Sequence, residues 1–81
     1  MENDIKATIK KTVLEVMGLD IDGYPYDKKI NEISEWDSFN NLMLISKFQD
    51  VFNVEFTASE VDGVQTIENL YSLLERKIAN S

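Results

Sequence analysis

Apolar residues recur at intervals of three and four in three separate stretches of this chain, the spacing that gives a helix one buried face. The first stretch runs from Asp4 to Met17, with Ile5, Ile9, Val13, Val16 and Met17 in register and Lys6, Lys10 and Glu15 elsewhere. The second runs from Ser38 to Phe52 and carries Phe39, Leu42, Ile45, Phe48 and Phe52, with Leu44 and Val51 widening the face. The third begins near Thr66 and carries Ile67, Leu70, Tyr71, Leu74 and Ile78. The only strand-like piece, Val54-Glu55-Phe56, is too short to make a sheet.

The punctuation between these stretches defines the rest of the architecture. Gly18 stands where a left-handed helix cap is wanted, and Asn53 ends the second helix. TASE, residues 57–60, places Thr57 and Glu60 as a capping box for a short helix that Asp62-Gly63 must break. Residues 18–37 form a long crossover with the only proline. Connections of that length are functional or disordered. This one holds Leu19, Ile21, Tyr24, Tyr26, Ile30, Ile33 and Trp36, so it is read as ordered, with a helical turn near Lys28 to Ile33. The expected fold is all-α: one domain over 1–81, a small four-helix bundle with helices at about 4–17, 38–52, 58–62 and 66–79.

Composition removes several classes of chemistry. The 81 residues include no cysteine and no histidine. Disulfides, thiol nucleophiles and Ser-His or Cys-His catalysis are therefore excluded, and a zinc site has no imidazole or thiolate to use. Residues 12–75 hold 13 acids against Lys28, Lys29 and Lys47, a local charge of −10 inside a total of −7. Such a field repels nucleic acid and anionic membranes and attracts basic protein surfaces. The opening MENDIKATIKK has no apolar leader core and no run approaches membrane-spanning length, so a cytoplasmic monomer without membrane insertion is expected.

Three conventional sites fit poorly. With Gly23 at the sixth position of a calcium loop, Asp20 and Asp22 fall on ligand positions, but the first and twelfth are Gly18 and Lys29. Tyr24, Tyr26 and Trp36 lack the basic stripe a base-stacking surface needs, and core anchoring suits them better. In a chain this acidic, neighbouring carboxylates arise by chance, so no hydrolytic pair, catalytic residue or metal site is assigned.

What remains is SEWDSFNNLMLI, residues 34–45, where Asp37-Ser38-Phe39 opens the second helix. Taken alone, Asp-Ser before an apolar run is an ordinary helix start. In a very acidic chain of this length, after a long crossover, it resembles the acyl carrier protein family, whose signature at that place is Asp-Ser-Leu. The resemblance extends to the apolar spacing of the second helix, the FNVEF segment, the short third helix and the last helix. It implies that Ser38, flanked by Asp37 and Phe39, is esterified by 4′-phosphopantetheine from coenzyme A through a magnesium-dependent phosphopantetheinyl transferase. It also implies a carrier rather than an enzyme, serving acyl-loading and acyl-processing or acyl-transfer enzymes. An aminoacyl or peptidyl carrier of the same fold, or an acidic interaction module with a degenerate site, are the alternatives.

The departures from the family pattern concern partners. Phe39 replaces the usual leucine and is expected to be buried. Many fatty-acid-synthesis carriers have acids two and five residues after the serine, where basic enzymes dock; here these are Asn40 and Met43. With Phe39 at zero on a helical wheel, Leu44, Ile45, Phe48, Val51 and Phe52 spread from about 120° to 240°, and Met43, Asp50, Lys47 and Asn40 fall between about 20° and 100°. Asn40, Met43, Lys47 and Asp50 are thus expected to form a softer, less acidic docking face for a specialised pathway.

Overall fold

The computed structural model describes the backbone of residues 2–79 and the side chains of residues 5–79. It is an all-α bundle of α1 (Glu2–Met17), α2 (Ser38–Phe52), the short α3 (Ala58–Asp62) and α4 (Ile67–Ala79). No helix is long and apolar enough to cross a membrane among the described residues.

Each helix ends where its local chemistry requires. Gly18 takes φ +67°, a left-handed conformation that a side chain would strain, and its N–H closes α1 on Leu14 O at 2.8 Å. Asn53 does the same for α2 at φ 54°. The Thr57–Glu60 capping box is present, and Glu60 also pairs with Lys77 of α4 at 2.8 Å. The Lys77 ammonium lies 5.9 Å from the Phe56 ring centroid, so α3 and the segment before it are held to α4. Thr66 is the cap of α4 rather than its first residue: its Oγ1 accepts from Asn69 N–H, and Asn69 Oδ1 accepts from the N–H groups of Gln65 and Thr66.

The core lies where α1, α2 and α4 meet, filled by Ile9 and Val13, by Leu44 and Phe48, and by Ile67, Leu70, Tyr71 and Leu74. Thr12 is the buried polar residue, and its hydroxyl donates to Thr8 O within its own helix. The crossover closes this core from outside, burying Leu19, Ile21, Ile30, Ile33 and Trp36. Besides the turn at Ile30–Glu32, it contains a 3₁₀ turn at Ile21–Gly23, where Asp20 accepts from Asp22 N–H. Its second half is stitched to the entry of α4 by Ile30 N–H to Gln65 O, Ile67 N–H to Lys28 O and Glu68 N–H to Tyr26 O. These bonds satisfy backbone groups in a segment without a helix or sheet of its own.

Most of the acids make no ion pair among the described residues. Three ion pairs occur among the described residues, Lys10–Asp22, Lys28–Glu32 and Lys77–Glu60. No group of three or more acids could hold a metal ion among those residues. Screening should therefore stabilise the bundle, by about 1 kcal/mol or several degrees of Tm in this size range. Melting in a sodium chloride series, beside a magnesium series with chelator controls, checks this; flat or falling Tm in both would contradict it.

Candidate functional site

The start of α2 separates two tasks that its sequence runs together. Asp37 is the cap: its backbone is extended, and its Oδ1 accepts from Asn40 N–H at 2.8 Å while its carbonyl accepts from Asn41 N–H at 2.8 Å. Ser38 is the first helical residue, is exposed, and makes no side-chain hydrogen bond among the described residues. Its hydroxyl is thus free of the capping work. Helix geometry leaves the N–H groups of Ser38 and Phe39 without intrahelical acceptors, and the positive end of the helix dipole favours added negative charge there.

The residues just before α2 are anchored to its first turn. Trp36 is 5% exposed, and its Nε1–H donates to Asn41 Oδ1 at 2.9 Å. Asn40 Nδ2 donates to Glu35 O at 2.8 Å. The Glu35-Trp36-Asp37 segment is thereby tied to the first turn of the helix beside Ser38. Asn41 was not singled out by its sequence position. The available signal was the tryptophan among the apolar anchors of the crossover, because a buried indole N–H needs an acceptor and the half-buried Asn41 lies five residues on, on the inward side of α2.

The same helix corrects the expectation for Phe39. It is 70% exposed and Leu42 67% exposed, and Val51 is also on the surface. The buried residues of α2 are Leu44, Ile45 and Phe48, flanked by half-buried Asn41 and Phe52; on the wheel they centre near 190°, diametrically opposite Phe39. Phe39, Leu42 and Met43 instead line a shallow surface groove with Ser46, Lys47 and Asp50. Asn40 does not line it, being half-buried and bound to Glu35. The structure therefore brings together Met43, Lys47 and Asp50 of the expected face, adds Phe39 and Leu42, and leaves Asn40 out.

On its other side, Ser38 borders an open cleft of about 450 Å³ between the crossover and the entry of α4. Ser34, whose hydroxyl is tied to Glu35, precedes the helix; Ser46, Ser59 and Ser72 lie within helices, and Ser81 is outside the described residues. The groups with shifted protonation belong to the scaffold. Hydrogen bonds from Lys77 and the Thr57 N–H hold Glu60 below the usual carboxylate value, the Asp22 hydrogen bond raises Lys10, and burial pushes Tyr71 up to about 12.

Comparison with known proteins bears on the fold and on the whole length of the chain. No family model matches the chain. The chain is 21% identical over 75 residues to an acyl carrier protein of Akkermansia muciniphila, covering 93% of this chain and 94% of that one. It is 24% identical over 78 residues to an acyl carrier protein of Buchnera aphidicola, covering 96% and 99%. The solved acyl carrier protein of Thermotoga maritima superposes with a TM-score of 0.79 at 19% identity, covering 98% of this chain and 92% of that one.

Proposed function

We propose that the chain, which is similar over nearly its whole length to acyl carrier proteins, is itself a carrier of that family rather than an enzyme, and that Ser38 Oγ holds a 4′-phosphopantetheine arm on which acyl groups ride as thioesters. The observation that supports this most is the division of labour at α2, where Asp37 caps the helix and an exposed Ser38 hydroxyl is left unbonded.

In the modification, Ser38 Oγ attacks the pyrophosphate phosphorus of coenzyme A that bears the pantetheine. A new P–O bond forms, the pyrophosphate P–O bond breaks, and 3′,5′-ADP leaves; the hydroxyl proton passes to a base of the transferase. The product phosphodiester carries one negative charge beside the unpaired N–H groups of the first turn, which favour it. The arm brings the thiol that a chain without cysteine lacks. The protein's own part is positional: it caps α2 without using Ser38, holds the Trp36 segment against the helix, and leaves the hydroxyl within reach of a docking enzyme. Intact mass after incubation with coenzyme A and a broad-specificity transferase tests the reading. One added phosphopantetheinyl group supports it; an unchanged mass leaves an acidic interaction module instead.

The partners are dedicated loading and processing enzymes of a specialised pathway that meet the chain as a monomer. The groove of Phe39, Leu42 and Met43 supports this, since it offers apolar contact where its flanking Lys47 and Asp50 cancel in charge. Met43→Glu should lower loading by the cognate enzyme about tenfold or more, the cost of putting an unpaired charge into an apolar contact. It should also improve acceptance by a general fatty-acid ketosynthase, with folding unchanged because Met43 is 47% exposed. Adding Asn40→Asp would confound the result by removing the donor to Glu35 O. Equal loading of both proteins by both enzymes would mean that this groove does not select the partner.

A further inference from the structure

Ser38 and Phe39 stand between two short runs that are bonded to each other four times. Asn40 N–H donates to Asp37 Oδ1 at 2.8 Å, and Asn41 N–H donates to the Asp37 carbonyl at 2.8 Å. These two bonds belong to any capped helix start. The other two depend on particular side chains: Asn40 Nδ2 donates to Glu35 O at 2.8 Å, and Trp36 Nε1–H donates to Asn41 Oδ1 at 2.9 Å. Residues 35–37 are thus closed onto residues 40 and 41, while the two residues between them, Ser38 and Phe39, are exposed.

The two asparagines do opposite work. A backbone carbonyl only accepts, so position 40 must offer an N–H; an indole N–H only donates, so position 41 must offer an oxygen. An aspartate could therefore serve at 41 but not at 40, where its carboxylate would meet the Glu35 carbonyl with no proton to share. The amide that stands two residues after the serine, where other carriers have an acid, has a structural use in this chain. It ties down the segment that leads into the serine.

We propose that Asn40 and Asn41 are positioning residues for the modification of Ser38, together bracing the Glu35-Trp36 segment so that the transferase meets the serine with the preceding chain already in place. This rests on the attachment of the arm at Ser38. An unbraced segment spends part of its time in orientations that obstruct the approach. An enzyme that binds only the braced form then shows a KM raised by the reciprocal of the braced fraction, with kcat unchanged.

Four variants separate the brace from charge and from direct contact with the enzyme. Asn40→Asp and Asn41→Asp add the same charge to the first turn of α2, near its positive end, but only the first loses its bond. Asn40→Leu and Asn41→Leu lose the bonds without adding charge. The cap on Asp37 uses the backbone N–H of residue 40, which every variant retains, so α2 keeps its start. Each protein is modified by a broad-specificity transferase with intact mass as the assay, and hydrogen exchange is followed at the indole N–H of the sole tryptophan. Asn40→Asp, Asn40→Leu and Asn41→Leu should raise KM about three- to tenfold, keep kcat within about twofold, and speed exchange of Trp36 Nε1–H. Asn41→Asp, which keeps the acceptor, should match wild type in both readouts. Aspartates that behave alike at the two positions, or leucine variants with wild-type KM, overturn the brace. So does a raised KM in Asn40→Asp with unchanged exchange of Trp36 Nε1–H, which would make Asn40 a contact of the enzyme. A wild-type chain that gains no mass fails the attachment at Ser38 itself, so the two failures are distinguishable.

Discussion

Ser38→Ala should take up no phosphopantetheine under conditions that convert the wild-type chain completely, a loss limited only by the detection of the added mass. The substitution removes one exposed hydroxyl that bonds to nothing described and sits at the first helical position, where alanine is well tolerated. Asp37 keeps its cap on the Asn40 N–H, so α2 keeps its start. Stability should stay within about 0.5 kcal/mol of wild type, as for other surface changes that break no special feature. A folded variant that cannot be loaded isolates the chemistry from the scaffold. Modification of the alanine variant would move the attachment to another serine.

Phe48→Ala should be the most damaging single truncation of the scaffold, because Phe48 is fully buried at the centre of α2 with its ring 6.0 Å from that of Phe52. Removing a buried phenylalanine costs about 3–5 kcal/mol, and a domain of this length has a total of roughly 5–12 kcal/mol to lose. The matching control is Phe39→Ala, which at 70% exposure should change stability by no more than about 0.5 kcal/mol. Urea unfolding followed by far-ultraviolet circular dichroism reads both. Comparable losses at the two positions would mean that the faces of α2 are assigned wrongly. With the faces as described, Phe39→Ala should impair loading while Phe48→Ala impairs folding.

The all-α class was legible because three apolar periodicities and their caps agree with one another. Gly18, Asn53 and the Thr57–Glu60 box have a local cause that sequence shows directly. Phe39 was not legible for the opposite reason. Apolar residues occupy both sides of α2, so counting them marks the helix but not which side is covered. The wheel angle of Phe39, opposite Leu44, Ile45 and Phe48, was the better guide than its hydrophobicity. The pairing of Trp36 with Asn41 and the stitching of the crossover to Gln65 and Ile67 depend on tertiary approach, which no local pattern encodes. The Ile21–Gly23 turn is also local: Asp20 stands two residues before the N–H from which it accepts. Asp37-Ser38 at a helix start was readable, whereas the release of Ser38 from capping needed the geometry.

The most direct measurement is fragmentation mass spectrometry of the protein purified from its native host, without added coenzyme A or transferase. Proteolytic peptides spanning Ser34 to Lys47 contain three serines, so fragmentation must resolve Ser34, Ser38 and Ser46. A phosphopantetheinyl group on Ser38, bare or bearing an acyl thioester, is the result that carriage requires. A native chain that is unmodified throughout growth, or that bears the group on a different serine, would contradict it.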